Sequence, residues 1–370
     1  MELVRSPFPP GALAVSDSAT LNVPALTNLA ISLYLPGALG PATWHPNAIQ
    51  TNYVSPPGDF TSASSMPVDH TVSSSYYLVN VEVQAATNVL AIVALGDSIT
   101  DGFQSTPNVN HRWPDDLARN LAAVHTNLAV VNEGITGNRL LQDGVGSSGS
   151  SRFDRDVLAQ AGAGYVLVLL GVNDIGHSTT SQPVSSDQII GGYRQLVERA
   201  HAQGLKIFGC TLTPFNGSAY ASPDRETLRE TVNNFIRTNN IYDGFIDFDA
   251  AVRDPSHVKQ LQTNYDSGDH LHPNDAGYQA MAAAIAPTQF LGGSSPPFRP
   301  RVSAATAKNQ EMDISWTATA DGFILEETGT LTPPVDWQFS PLTPILSNGV
   351  FSVSVPVSST SRFFRLITTP

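Results

Sequence analysis

Three residues in two distant segments have the types and spacing of a nucleophile and its base. Ser98 lies in Gly96-Asp97-Ser98, directly after an apolar run, and Asp269 precedes His272 by three residues. A hydroxyl becomes a good nucleophile when a base removes its proton, and the usual base is a neutral imidazole oriented by a carboxylate. A single turn can bring the Asp269 carboxylate to one ring nitrogen of His272, leaving the other for Ser98. The pattern therefore predicts an activated serine.

Two further residues follow the next predicted strands, where they could stabilise negative charge on a substrate oxygen. These are Gly134, in Val130-Val-Asn-Glu-Gly134, and Asn173, in Leu169-Leu-Gly-Val-Asn173. With the backbone N–H of Ser98, they would supply three donors to one developing oxyanion. Taken alone, Asn173 is better interpreted as a helix cap and Gly134 as a routine turn. The presence of Ser98 and His272 in the same chain favours the oxyanion hole.

These four segments, in this order, resemble the SGNH branch of the GDSL esterases and lipases, which is named for Ser, Gly, Asn and His in four sequence blocks. The resemblance spans about residues 88 to 288. It implies a serine carboxylester hydrolase with Ser98 as nucleophile, Asp269 and His272 as acid and base, and Gly134 and Asn173 as oxyanion donors. It also implies a three-layer α/β/α sandwich with a flavodoxin-like parallel sheet. Thr100 stands where a G-x-S-x-G elbow has its second glycine, which argues against the α/β-hydrolase fold.

Other polar residues near these segments are candidates for the substrate pocket, with solvated loop positions as the alternative. They are Asp97, Thr100, Asn138, Asp174, His177 and His270. His270 is also the nearest rival of His272 as the base. No metal site is expected, because the sequence has neither a calcium-loop pattern nor a His/Cys cluster with ligand spacing. Acyl transfer by the predicted residues needs no cofactor.

An alternation of strand-like and helix-like runs surrounds these residues, over about 87–290. Such alternation predicts a parallel sheet between two helical layers. One helix is signalled by Ser222 and Pro223 as cap and first turn, and another by an apolar stripe from Ile189 to Ala200. The predicted strands are Val89–Leu95, Leu128–Asn132, Tyr165–Leu170, Leu205–Leu212 and Gly244–Phe248.

The flanking segments have a different character. Residues 1–86 are rich in Pro, Ser, Thr and Asn and predict a β-rich N-terminal domain, with strand-like runs at Leu29–Leu35 and Ser75–Val83. Residues 291–300 have the composition of a linker. Residues 301–370 predict a small β-sandwich similar to immunoglobulin-like or fibronectin type III modules. Its aromatic residues are predicted to be core rather than a carbohydrate-stacking surface: Trp316, Trp337 and Phe363.

The composition indicates which binding partners are unfavourable and which cellular location to expect. The formal charge of −13, with three lysines, argues against nucleic acid and anionic membranes. No apolar run is long enough for a membrane span, and no signal peptide is recognisable. A charged content of 14%, against about a quarter in average proteins, is more typical of an exported protein, so we expect a secreted or periplasmic bacterial location. The lone Cys210 is predicted to be a buried small hydrophobe.

The sequence thus predicts hydrolysis of short-acyl carboxylic esters through an acyl-enzyme on Ser98. Acetyl esters of carbohydrates, or similar small esters, are the favoured substrates, because flanking β-domains and no lid-like apolar segment accompany the predicted catalytic domain. Two alternatives stay open at this point. The chain could be a non-catalytic carbohydrate-binding or adhesion protein, or an acyltransferase that uses the same residues.

Overall fold

The computed structural model describes most of the chain. The described residues are 16, 19–37, 42–85, 89–124, 126–291, 303–308, 311–317, 323–330, 335–347, 350–356 and 361–368. The predicted linker, apart from Leu291, lies outside them. None of the described helices combines the length and the apolar character needed to cross a membrane.

The N-terminal region, residues 19–85 of the described chain, contains only short strands. Strand β1 (Trp44–His45) pairs antiparallel with β4 (Ser75–Tyr76), and β2 (Asn52–Val54) pairs antiparallel with β3 (His70–Val72). The predicted strand at 29–35 is not formed, because no described segment pairs with it to complete a ladder. An apolar run supplies the side chains of a strand but not its hydrogen-bonding neighbour.

The centre of the molecule is a five-stranded parallel sheet. Its order, β6-β5-β7-β8-β9, places the first strand of the sheet between the second and third, as in flavodoxin-like folds. The chain adds β6 on one side of β5 and then crosses to β7 on the other side. Folds of this kind bind ligands at such a reversal in strand order, beyond the carboxyl ends of the strands. The strands are β5 (Leu90–Gly96), β6 (Leu128–Gly134), β7 (Ala163–Leu169), β8 (Lys206–Cys210) and β9 (Gly244–Ile246).

Helices cover both faces of the sheet. Side chains of consecutive strand residues point to opposite faces, and every residue from Ala91 to Leu95 is buried, so both faces are covered. The three-layer α/β/α prediction is confirmed. The helices are α1 (Ser98–Asp101), α2 (Trp113–Ala123), α3 (Gly149–Phe153), α4 (Val172–Gly176), α5 (Ser186–Ala202), α6 (Pro223–Thr238), α7 (Phe248–Val252), α8 (Asp275–Ala283) and α9 (Thr288–Leu291).

Local sequence signals account for the long helices. Ser222 accepts a hydrogen bond from the Arg225 N–H and Pro223 opens α6, as predicted. Trp113 is fully buried at the start of α2 and packs on Phe248 of α7, with ring centroids 5.2 Å apart. Cys210 is fully buried at the end of β8, and burial raises the pKa of its thiol.

The C-terminal region forms two antiparallel sheets, which confirms the predicted β-strands there. One has the order β10-β11-β15-β14 and the other β13-β12-β16. Trp316 is buried with Ile314 and Leu325, as predicted for a core residue, whereas Trp337 is half-buried beneath Arg365. The strands are β10 (Ser303–Lys308), β11 (Glu311–Thr317), β12 (Phe323–Thr328), β13 (Gln338–Phe339), β14 (Ile345–Ser347), β15 (Val350–Pro356) and β16 (Phe363–Thr368).

Candidate active site

Ser98 lies at the carboxyl end of the central strand β5, as the first residue of α1. Asp97 caps this short helix, because its Oδ1 accepts a hydrogen bond of 3.0 Å from the Ile99 N–H. Ser98 is 5% exposed, so its hydroxyl stands at the rim of the sheet with little contact with solvent. The abrupt change from strand to helix is what presents the side chain at this edge.

A continuous chain of hydrogen bonds joins Ser98 to two residues that precede α8. Ser98 Oγ lies 2.9 Å from His272 Nε2, and His272 Nδ1 lies 2.7 Å from Asp269 Oδ2. The second carboxylate oxygen, Oδ1, accepts bonds from the backbone N–H groups of Leu271 and His272, at 2.9 and 2.8 Å. The turn that the sequence spacing predicted is therefore formed, and it fixes both the carboxylate and the imidazole.

The surroundings of Asp269 favour its charged form. Burial opposes ionisation, but hydrogen bonds from the backbone and ring of His272 and from the Leu271 N–H lower the pKa of the Asp269 carboxyl below its usual value. The charged carboxylate orients the His272 ring with Nε2 facing Ser98. Phe103 packs edge-on against the same ring, with centroids 4.7 Å apart.

One glycine ends β6 and another lies in the turn after it, and of the two only Gly137 has an N–H without a partner among the described residues. The N–H of Gly134, the predicted donor, is engaged by Asn132 Oδ1 at 2.9 Å. The N–H groups of Ile135 and Thr136 are also engaged, by Gly96 O and Asp101 Oδ2. Gly137, with φ of 79°, adopts the left-handed conformation that glycine tolerates best, and its N–H donates to no group among the described residues.

Asn173 lies inside α4 rather than at its cap, which is Gly171. Its Nδ2 donates to the Asn138 carbonyl at 3.0 Å, so the Gly137–Asn138 turn lies beside it. Its Oδ1 accepts a hydrogen bond of 2.8 Å from the Tyr220 hydroxyl. Because the amide nitrogen donates and the amide oxygen accepts, the amide is fixed in one orientation. Nδ2 keeps a second N–H for another acceptor.

Sequence reasoning missed Tyr220. It lies on the loop between β8 and α6, and its hydroxyl is 3.1 Å from His177 Nε2 as well as being bonded to Asn173. Gly176 leaves room for its ring, since a Cβ there would lie 2.3 Å from ring atoms of Tyr220. No local sequence signal links Tyr220 to positions 43 to 47 residues away, so only the fold brings this tyrosine to Asn173.

The other predicted pocket residues have different surroundings. The Asn138 side chain is used within the protein, donating to the Val145 and Ser147 carbonyls and accepting from Arg152. Asp174 accepts the N–H groups of Leu140 and Leu141, which positions that loop.

The two predicted pocket histidines lie on the exposed side of the site. His270 pairs with Asp266 at 2.5 Å, so it does not share the Asp269 carboxylate with His272. His177 is exposed and lies edge-on to the Tyr220 ring, with centroids 5.5 Å apart. His177 is therefore connected to Asn173 through the tyrosine hydroxyl.

Asp97 and Thr100 are fully buried next to Ser98. One carboxylate oxygen of Asp97 has no hydrogen-bond partner among the described residues. Burial, together with the nearby charge of Asp174, raises the pKa of the Asp97 carboxyl to about 7, although the Ile99 N–H opposes this. Burial thus favours the neutral form of this carboxyl, which limits negative charge beside the serine.

The N-terminal region also reaches the nucleophile loop. His45 Nε2 lies 2.9 Å from Asp101 Oδ1, and the other oxygen of Asp101 accepts from Thr136. The hydrogen bond to Asp101 raises the pKa of His45 above its usual value, in spite of partial burial and the nearby Arg112. Within the described part of the chain, no group of three or more His, Cys, Asp or Glu residues is arranged to hold a metal ion.

A known protein family matches the segment that contains these residues. A model of the GDSL-like lipase/acylhydrolase family matches residues 94–280, which contain Ser98, Gly137, Asn173 and His272. A search of curated protein sequences found no match.

Several solved structures are similar to this chain at low identity. An acetylxylan esterase from Geobacillus stearothermophilus is 24% identical over 53% of this chain and 91% of its own, with a TM-score of 0.41. A GDSL-like lipase from Bacteroides thetaiotaomicron VPI-5482 is 20% identical over 56% and 91%, with a TM-score of 0.40. LAE5, an alpha/beta hydrolase from the metagenome of Lake Arreo, Spain, is 19% identical over 57% and 100%, with a TM-score of 0.43.

Proposed function

Because this chain belongs to the GDSL-like lipase/acylhydrolase family, and is thus a carboxylester hydrolase, we propose that Ser98, His272 and Asp269 carry out its ester hydrolysis. The observation that carries the proposal is the unbroken series of hydrogen bonds from Ser98 Oγ through His272 to Asp269. This is the geometry that general-base activation of a hydroxyl requires.

The reaction has two halves. His272 Nε2 takes the proton of Ser98 as its oxygen attacks the ester carbonyl, and the charged Asp269 stabilises the imidazolium that forms. His272 then gives that proton to the leaving alcohol as the ester C–O bond breaks, which leaves an acyl group on Ser98. In the second half His272 takes a proton from water, the water oxygen attacks the acyl carbon, and Ser98 recovers its proton as the acid departs.

The oxyanion that forms in each half needs donors that are not already engaged. We assign this role to the Ser98 N–H, the Gly137 N–H and the free N–H of the Asn173 amide. Gly137 replaces Gly134 in this proposal because the Gly134 N–H is held by Asn132, whereas the Gly137 N–H has no partner in the described chain. The bond from Asn173 to the Asn138 carbonyl supports the assignment, since it joins the glycine turn to the amide.

We propose short-acyl esters, and acetyl esters of carbohydrates in particular, as substrates of an exported enzyme. Polar groups, Tyr220 and His177, lie next to Asn173, where the acyl group would enter, and they suit a short acyl chain better than a long alkyl chain. Rates with p-nitrophenyl acetate are expected to exceed those with p-nitrophenyl palmitate, and the reverse order would contradict this preference.

Active-site labelling tests the mechanism directly. The intact protein is treated with a fluorophosphonate, and the modified peptide is mapped by mass spectrometry. Labelling is expected at Ser98 in the wild-type protein, and it should be lost in Ser98→Ala and strongly slowed in His272→Ala, because the base is then missing. Ser256→Ala is the matched control, since it removes an exposed serine hydroxyl outside the site, and it should be labelled at Ser98 like the wild type. A folded protein labelled elsewhere, or not at all, would overturn the proposed mechanism.

A further inference from the structure

A groove of about 420 Å³ lies where the N-terminal region meets the loop after Ser98. We call it the junction groove. One wall comes from residues within 47–51 and 71–73, and the other from residues within 103–107. Phe103 belongs to the second wall and also packs against the ring of His272, with centroids 4.7 Å apart. The groove therefore shares a side chain with the immediate surroundings of the proposed base.

This position determines which half of an ester the groove can reach. In the proposed mechanism His272 delivers a proton to the leaving alcohol, so the alcohol oxygen must lie beside His272 Nε2. The carbonyl oxygen faces the other donors, Gly137 and Asn173. A groove that borders His272 through Phe103 is thus placed to hold the alcohol half rather than the acyl half.

The groove is built from strained backbone that the surrounding contacts hold in place. Ile49, Gln104 and Asn108 have φ values of 53°, 69° and 68°, in the left-handed region that a β-branched residue such as isoleucine rarely adopts. The Asn108 N–H donates to Ile49 O at 3.1 Å, and the Asn108 side chain bonds Thr51 twice, at 2.6 and 2.9 Å. Such strain is typically retained at binding sites, where a fixed shape is needed.

The walls combine neutral polar side chains with apolar surface. Ser105 is 5% exposed, and its hydroxyl has no partner among the described residues. Ile49 and Phe103 supply apolar surface, and no residue that the structure shows lining the groove is charged. Amide and hydroxyl side chains predominate on the walls, among them Asn47, Gln50, Thr71, Ser73 and Ser105.

This combination distinguishes between classes of alcohol. A charged headgroup would call for arginine or lysine, and a long alkyl alcohol would call for mainly apolar walls. Amides and hydroxyls can bond the hydroxyl groups of a sugar, while an aromatic edge and an aliphatic side chain contact its C–H face.

We propose that the junction groove binds the alcohol half of the ester as a neutral carbohydrate unit. This assignment rests on the proposed function, since it uses the role of His272 toward the leaving alcohol. The N-terminal region then contributes substrate recognition to chemistry that is carried out entirely by the α/β unit.

Two acetyl esters with different alcohols test the proposal: 6-O-acetylglucose, whose sugar keeps its free hydroxyl groups, and p-nitrophenyl acetate. The variant is Asn47→Ala/Thr71→Ala, because both side chains line the groove and their removal breaks no hydrogen bond within the described chain. For 6-O-acetylglucose we expect kcat/KM to fall about tenfold, mainly through KM, since two hydrogen bonds to bound substrate are lost. For p-nitrophenyl acetate it should stay within about twofold of wild type.

Thr43→Ala is the matched control, an exposed threonine of the same region that does not line the groove, and it should change neither rate. An equal loss on both substrates, or none on 6-O-acetylglucose, would overturn the groove assignment while leaving the esterase mechanism intact. A wild-type enzyme that accepts p-nitrophenyl acetate and refuses 6-O-acetylglucose would overturn it too. Failure of Ser98 to take the fluorophosphonate label is the separate result that removes the proposed function.

Discussion

The α/β unit and the N-terminal region are stabilised in different ways. Strand β5 pairs along its length with a neighbour on each side, whereas the strands of the N-terminal region pair over two or three residues. Trp44 in that region is 56% exposed, and among its described residues Ile49 is the one buried large hydrophobe. The α/β unit thus has its own core, while the N-terminal region depends on its contacts with the α/β unit.

The two regions also differ in their proposed roles, which are catalysis for the α/β unit and substrate recognition for the N-terminal region. The proposed catalytic groups all lie at the carboxyl edge of the sheet, within the α/β unit. Ser98 and Asn173 are on the short helices α1 and α4, and Asp269 and His272 are in the segment before α8. The N-terminal region contacts the nucleophile loop from outside, through His45 and through the junction groove. Changes in the α/β unit should therefore affect turnover most, and changes at the contact should have smaller, more selective effects.

Among the changes compared between the two regions, we expect the largest effect from Asn173→Ala, combined with Tyr220→Phe in a double-mutant cycle. Asn173→Ala removes a proposed oxyanion donor and should lower kcat for p-nitrophenyl acetate by about 100- to 1000-fold, with little change in KM. Steady-state kinetics measures both constants. Asn234→Ala, an exposed asparagine on α6, is the matched control and should leave kcat unchanged.

In the same cycle, Tyr220→Phe should lower kcat about tenfold, because the hydroxyl that fixes the Asn173 amide is lost. The double variant should be no slower than Asn173→Ala alone, since Tyr220 is proposed to act through that amide. If the loss of kcat in the double variant equalled the product of the two single losses, Tyr220 would act independently of Asn173. Tyr165→Phe removes a tyrosine hydrogen bond near the start of β7, away from the site, and should not change kcat.

Sequence reasoning succeeded where local patterns determine structure. Asp269 and His272 are three residues apart, so one turn decides their contact, and buried strands such as β5 were predicted to within a residue or two. It assigned the oxyanion glycine to Gly134, whereas we propose Gly137, because only the fold determines that the Gly134 N–H is engaged by Asn132. The run at 29–35 was wrongly predicted as a strand, since a ladder needs a partner that periodicity does not reveal.

The smallest effects are expected at the contact between the two regions. His45→Ala removes the hydrogen bond to Asp101, which lies on the nucleophile helix α1 and also holds Thr136. We expect kcat/KM to fall about two- to fivefold and the thermal midpoint to fall by a few degrees, as for one partly buried polar contact. Circular dichroism melts and p-nitrophenyl acetate kinetics measure the two changes.

The difference in thermal midpoint between wild type and His45→Ala should depend on pH if the charge of His45, and not only its packing, stabilises the contact. Because the Asp101 bond raises the pKa of His45 above its unfolded value of 6.5, the added stability is fully present below that value and is lost as pH rises through the folded pKa. The midpoint difference between wild type and His45→Ala should therefore be larger at pH 6 than at pH 9. His70→Ala, which removes an exposed pair with Asp69 inside the N-terminal region, is the matched control. Equal differences at the two pH values would show that His45 contributes packing alone, and that the two regions are not coupled through its charge.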